Sequence, residues 1–123
     1  MKIPPAQEKT SDSELRAGVA ELRAEYRQEL PRIQQDLADC VHRARSLPGD
    51  AGLLRELRSK SHRIHGTAGS FGFSSISEAV GLIESTLDAI EAGQIPPDQM
   101  WIEIDHAVAA VKAAFAAAAL GGT

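Results

Sequence analysis

The chain has 123 residues, of which 43% are apolar and 24% are charged, with a formal net charge of −4. This length fits one domain, and the apolar share excludes a wholly disordered chain. The acidic balance argues against a nucleic-acid-binding protein, which needs a basic surface to neutralise phosphates. No apolar run approaches the ~20 residues that span a bilayer. We therefore expect a cytoplasmic protein that binds neither nucleic acid nor membrane.

The N-terminal third of the sequence predicts a short tail followed by one long helix. Residues 1–10 are polar and contain two prolines, and we predict a disordered tail there, followed by a single domain over residues 11–120. The helix is predicted from Ser13 to Ser46, because apolar residues recur at spacings of three and four. Pro31 removes one hydrogen-bond donor but leaves the phase of the stripe unchanged, so we predict one kinked helix.

Three shorter segments with the same periodicity follow. Each has one apolar stripe and ends near a glycine, and the predicted ranges are about 51–69, 74–92 and 100–120. No strand pattern competes with them, and the connections are short. The predicted fold class is therefore all-α: an antiparallel up-down-up-down four-helix bundle with a long first helix.

The second segment contains an unusual polar face. His62 and His65 stand three residues apart, and His62 lies away from the apolar stripe at about 100° per residue, so it is predicted to be exposed. Gly66 follows His62 by one turn on the same side, where a glycine costs about 1 kcal/mol relative to alanine. Gly66 and Gly69 thus indicate either that another surface approaches closely, or that the helix ends or packs tightly there.

An exposed imidazole is suited to nucleophilic chemistry, because its pKa lies close to neutral pH. A hydrogen bond to one ring nitrogen fixes the tautomer and leaves the other nitrogen free to attack. A carboxylate from a neighbouring helix would form this bond and would also favour a charged ring. The third segment offers four carboxylates, and periodicity alone does not select among them: Glu78, Glu84, Asp88 and Glu91.

These residues resemble those of histidine-containing phosphotransfer domains. The family motif is a histidine, two residues, usually a lysine, and then a glycine, which here becomes His-Arg-Ile-His-Gly over residues 62–66, with Phe-Gly-Phe at residues 71–73. The Gly-Ser-Phe-Gly-Phe run is similar in particular to the phosphotransfer module of bacterial chemotaxis histidine kinases. The resemblance covers about residues 22–117, and the four-helix prediction agrees with the family fold.

The resemblance implies a role for each matching residue. His62 would be the phosphorylated histidine of a two-component phosphorelay, Glu84 would hydrogen-bond its ring, and Gly66 would leave room for the partner. His65 stands where the family usually has a lysine that is thought to help hold the phosphoryl group. This position is the main departure from the family pattern.

The resemblance also implies the partners. The phosphoryl group would be exchanged with the aspartate of a response-regulator receiver domain, or accepted from a sensor histidine kinase. The protein would be a phosphoryl carrier with no ATP-dependent kinase activity and no cofactor of its own, since Mg²⁺ would be held by the receiver. The predicted partner-binding residues near His62 are Arg58, Lys60, Arg63, Gly69 and Phe73. Arg58 or Lys60 would supply the positive charge of the missing lysine.

Two other interpretations stay open at the level of sequence. His62 and His65 have a spacing that could place both on one metal ion, although zinc usually takes three or four ligands and the other two histidines, His42 and His106, show no local motif. The chain could also be a non-catalytic interaction or dimerisation bundle, an inactive relative of the family. The basic residues would then form an ordinary solvated helix face.

Overall fold

A computed structural model describes residues 5–121 of the chain. Four α-helices follow one another: α1 (Pro5–Ser46), α2 (Ala51–Ser70), α3 (Ser74–Glu91) and α4 (Met100–Ala119), with a short 3₁₀ helix, Pro97–Gln99, leading into α4. The described residues contain no strand. Neighbouring helices pack in chain order, and α1 closes the bundle against α2 and α4. The predicted all-α four-helix bundle with a long first helix is confirmed.

Helix α1 is twice as long as its partners. It has 42 residues, or about 63 Å at the usual rise per residue, and it continues through Pro31 as predicted. It takes in residues 5–10 of the segment predicted to be a disordered tail, while residues 1–4 lie outside the described part of the chain. Pro5 is compatible with a helix start, because the missing N–H of a proline has no intrahelical partner in the first turn. No helix among residues 5–121 combines the length and apolar character needed to cross a bilayer.

The N-terminal part of α1 extends past the end of the bundle. Two arginines mark that end, because Arg23 donates from Nε to the carbonyl of Phe71 (2.8 Å) and Arg27 donates to the carbonyl of Ala118 (2.8 Å). Before these contacts, three large apolar side chains of α1 are exposed. They are Leu15, Val19 and Leu22. The part of α1 that builds the core is therefore the part after Arg23.

The turn between α2 and α3 depends on one glycine. Gly72 has a φ of 80°, in the left-handed region that glycine enters without steric cost. The amide of Phe73 then donates back to the carbonyl of Ala68 (2.8 Å), which closes the end of α2. This reversal makes α3 run antiparallel to α2.

Phe73 lies in the core, and its predicted role in partner binding is wrong. Its side chain is 0% exposed. The ring of Tyr26 packs on it at 5.7 Å between centroids, and the guanidinium of Arg23 lies 4.5 Å from its centroid. The turn at Gly72 directs Phe73 into the core, whereas Phe71 is half-buried beside Tyr26.

Cys40 is also a core residue. It is completely buried in α1, and burial raises the pKa of its thiol. A buried neutral thiol behaves as a small apolar side chain, which agrees with its position in the stripe of α1.

We predict that Phe73→Ala lowers the free energy of unfolding by about 3–5 kcal/mol, because it leaves a cavity at a completely buried site. Urea denaturation followed by circular dichroism measures this loss. Leu120→Ala is the control: its side chain is 90% exposed, and its truncation should change stability by less than about 0.5 kcal/mol. Equal effects of the two substitutions would contradict the placement of Phe73.

Candidate functional site

The middle of α2 and the middle of α3 bring His62 and Glu84 together. Nδ1 of His62 lies 2.6 Å from Oε2 of Glu84. The histidine side chain is 70% exposed, whereas the glutamate side chain is only 15% exposed. A carboxylate only accepts hydrogen bonds, so the bond places the proton on Nδ1. In the neutral ring, Nε2 then carries the lone pair, and the exposed ring makes that nitrogen accessible to another molecule.

A second polar pair lies one turn away along the same two helices. Nε of Arg58 donates to Oδ1 of Asp88. This hydrogen bond holds the pKa of Asp88 below its usual value and raises the pKa of Arg58. Arg58 was expected to supply positive charge beside His62, but in the structure its guanidinium is engaged by Asp88. The pair is about half exposed.

His65 is held against α3. It is half-buried, and its Nδ1 donates to the backbone carbonyl of Ser77 at 2.7 Å. Its ring lies so close to Gly81 that a Cβ there would be 3.0 Å from Nδ1 and 3.1 Å from Cε1. His65, at the family's lysine position, is therefore hydrogen-bonded to the neighbouring helix.

Two glycines of α2 that looked alike in the sequence differ in their surroundings. A Cβ at Gly69 would lie 3.1 Å from Oγ of Ser77, so close packing against α3 accounts for this glycine. A Cβ at Gly66 would meet nothing within 4 Å. Packing inside the described chain therefore gives no reason for a glycine at position 66, one turn from His62 on an exposed surface.

Lys60 and Arg63 lie on the other side of α2. Both line a groove between α1 and α2, which also contains Arg32 and Asp36 of α1. No hydrogen bond or ion pair in the described structure joins Lys60 or Arg63 to His62 or Glu84. The structure thus places Lys60 and Arg63 toward α1, whereas His62 contacts α3.

The two histidines of α2 contact different groups of α3. His62 is bonded to Glu84 and His65 to Ser77, so their Nδ1 atoms have different partners. Within residues 5–121, no three His, Cys, Asp or Glu side chains come together as a ligand set. His62 and His65, whose spacing of three residues is compatible with one shared metal ion, instead make two separate contacts with α3.

Ser77 and Gly81 contact the site and were not singled out from the sequence. They are four residues apart on α3, on the side that also carries Glu84. Small residues at this spacing allow another helix to approach closely, and this pattern is the sequence signal that could have identified them. It could not be used alone, because it does not tell which residues of α2 fill the space.

A family model described as Hpt domain matches residues 18–117. The matched span contains α2 and α3, most of α1 and α4, and all the residues of the site described above. No curated protein and no solved structure matches the chain.

We predict different effects on stability for alanine at two glycines of the site. Gly66→Ala should raise the free energy of unfolding by about 1 kcal/mol, because alanine favours a helix and the new methyl meets no neighbour. The free energy of unfolding of Gly81→Ala should be about 1 kcal/mol or more below that of Gly66→Ala, because its methyl would lie 3.0 Å from Nδ1 of His65 and would strain the hydrogen bond of that ring to the Ser77 carbonyl. Urea denaturation of both variants measures the difference, and equal stabilisation by both would contradict the described packing of His65.

Proposed function

This chain belongs to the Hpt domain family, whose members carry phosphoryl groups on a histidine in phosphorelays, and we propose that His62 is the histidine that does so here. The partners of the family are response regulators and kinases of two-component systems. We propose that this chain exchanges its phosphoryl group with the aspartate of a receiver domain in the cytoplasm.

The observation that carries the proposal is the bond between His62 and Glu84. The carboxylate accepts the Nδ1 proton at 2.6 Å, which leaves Nε2 as the nucleophile on an exposed ring. In the proposed step, the lone pair of Nε2 attacks the phosphorus of an aspartyl phosphate. The N–P bond forms as the P–O bond to the aspartate breaks, and the bonding electrons remain on the aspartate carboxylate. No proton is lost, because Nδ1 keeps its hydrogen.

Glu84 would also stabilise the product. The phosphorylated ring carries a positive charge, and the adjacent carboxylate favours that charge. In the reverse step, the receiver aspartate attacks the phosphorus and the electrons of the N–P bond return to Nε2. Glu84 acts in both directions as a fixed acceptor for Nδ1–H.

The energetics favour this function over an inactive bundle. Glu84 is only 15% exposed, and removing a carboxylate from water costs free energy unless it is paired. Exposed ion pairs contribute only about 0–1 kcal/mol to stability, so the bond to a largely exposed histidine is a poor device for holding a fold together. It is a suitable device for fixing the tautomer of a nucleophile.

The partner would supply the metal and the surface that closes over His62. We propose that Mg²⁺ is held by the receiver domain, where it would offset the charge of the phosphoryl group during transfer. Gly66 would leave the clearance that the receiver needs beside Nε2, and Lys60 and Arg63 would face acidic groups of the receiver. ATP-dependent kinase activity would likewise belong to a partner.

We predict that His62→Gln abolishes phosphorylation. Wild-type chain incubated with phosphoramidate should acquire an acid-labile, alkali-stable phosphoryl group, and the variant should acquire none, because glutamine has no nucleophilic ring nitrogen. His106→Gln is the control, because His106 is exposed on α4, and it should be phosphorylated like the wild type. A His62→Gln variant that is labelled as strongly as wild type would contradict the assignment.

We also predict that Gly66→Gln separates chemistry from docking. Phosphorylation by phosphoramidate should be retained, since a Cβ at position 66 meets no atom of the described residues within 4 Å. Transfer from the phosphorylated variant to purified receiver domains should be roughly tenfold slower or worse, because a displaced receiver loses the reacting geometry. The matched control is Ala109→Gln on the exposed face of α4. Unchanged transfer by Gly66→Gln would contradict the clearance role.

A further inference from the structure

We propose that His65 is a positioning residue, which fixes the register of α2 against α3 and thereby sets the ring of His62 against Glu84. This inference rests on the proposed function of His62. It assigns position 65 a role different from the charge that the family's usual lysine brings. Four residues carry it, and we call them the interlock: His65 and Gly69 on α2, and Ser77 and Gly81 on α3.

The interlock contains hydrogen bonds that run in opposite directions between α2 and α3. Nδ1 of His65 donates to the carbonyl of Ser77 at 2.7 Å, and the hydroxyl of Ser77 donates to the carbonyl of His65 at 2.8 Å. Each of the two residues thus presents its side chain to the backbone of the other helix. Hydrogen bonds are directional, so this pair resists both sliding and rotation of α2 on α3.

Two glycines make the room for these bonds. A Cβ at Gly81 would lie 3.0 Å from the imidazole of His65, and a Cβ at Gly69 would lie 3.1 Å from the hydroxyl of Ser77. On each helix the bonded residue and the glycine are four positions apart, on one face. Each side chain therefore lies over the glycine of the opposite helix.

The interlock and the pair of His62 and Glu84 are successive contacts between the antiparallel helices α2 and α3. His65 follows His62 by three residues on α2, and Gly81 precedes Glu84 by three residues on α3. The interlock is therefore the next contact along the interface between the two helices. Arg58 and Asp88 form the contact on the other side of His62. A shift of α2 along α3 would lengthen the 2.6 Å contact between His62 and Glu84, and the interlock opposes that shift.

This role explains how the chain can lack the family's lysine. A lysine side chain is long and flexible, and it presents a point charge without a fixed plane. It could not lie flat over Gly81 with a donor at the position of Nδ1. We infer that position 65 serves the geometry of the nucleophile, and that positive charge near the phosphoryl group comes from other residues or from the partner.

Substitutions at His65 distinguish positioning from charge. Asparagine places an amide donor near the position of Nδ1, lysine restores the family's charge, and leucine removes both. His106→Leu, on the exposed surface of α4, is the matched control. Two quantities are measured for each variant: the tautomer of the His62 ring from its ¹⁵N chemical shifts, and the rate of phosphorylation by phosphoramidate.

The proposal expects His65→Asn to keep both the Nδ1–H tautomer of His62 and most of the rate. His65→Lys and His65→Leu should give mixed tautomers and a rate roughly tenfold lower, because the ring is no longer held in its reacting geometry. A folded lysine variant with the wild-type tautomer and an equal or higher rate would overturn the proposal. So would a folded leucine variant with an unchanged tautomer and rate, since the contact would then be merely structural.

A milder variant keeps the test decisive if the leucine variant fails to fold. Gly81→Ala adds a single methyl 3.0 Å from Nδ1 of His65, which forces that ring to shift. It should also produce mixed tautomers of His62, whereas a pure Nδ1–H tautomer would count against the proposal. The tautomer is measured without phosphorylation. If the wild-type chain took up no phosphoryl group, the proposed function would fail, and the tautomer comparison would still decide whether His65 positions the ring.

Discussion

The site depends on the antiparallel register of α2 and α3. In that register, Arg58 faces Asp88, His62 faces Glu84, and the interlock of His65, Gly69, Ser77 and Gly81 follows in line. The register begins at the turn through Gly72, whose positive φ reverses the chain and directs Phe73 into the core. The carboxylate of Glu84 is thus held at Nδ1 of the exposed His62, because other contacts between α2 and α3 lie on both sides of this pair.

Stability and function are served by different contacts in this bundle. The apolar core supplies the stability, because burial of apolar surface is the dominant favourable contribution to folding. Arg58 and Asp88 are about half exposed and His62 is 70% exposed, and ion pairs of such exposed groups contribute little to folding. A Cβ at Gly66 would contact none of the described residues, and glycine lowers helix stability relative to alanine. Natural proteins tolerate such losses at functional sites, which is consistent with a site shaped for a partner.

The sequence predicted the fold and the exposure of the histidine, because helical periodicity reports which face of each helix is apolar. It did not predict which phenylalanine of the Phe-Gly-Phe run enters the core, since that depends on the backbone conformation of Gly72. Glu84 was selected by resemblance to a family, because four carboxylates on the third helix were equivalent by spacing. The packing roles of Gly69 and Gly81 could not be predicted, because they depend on the register of α2 against α3, and the pattern of a single helix does not determine that register. Helix α1 begins at Pro5 and not at Ser13, because a proline is compatible with the first turn of a helix, and the polar, proline-containing composition of residues 1–10 does not exclude one.

The position of the phosphoryl group on the ring tests the central claim most directly. After phosphorylation of the chain by phosphoramidate, ³¹P and ¹⁵N NMR spectra identify which ring nitrogen of His62 is bonded to phosphorus. Since Glu84 holds the proton of Nδ1, we predict phosphorylation at Nε2, with Nδ1 still protonated. A phosphoryl group on Nδ1 would show that the contact with Glu84 is broken in the reactive state, and it would contradict this account of the site.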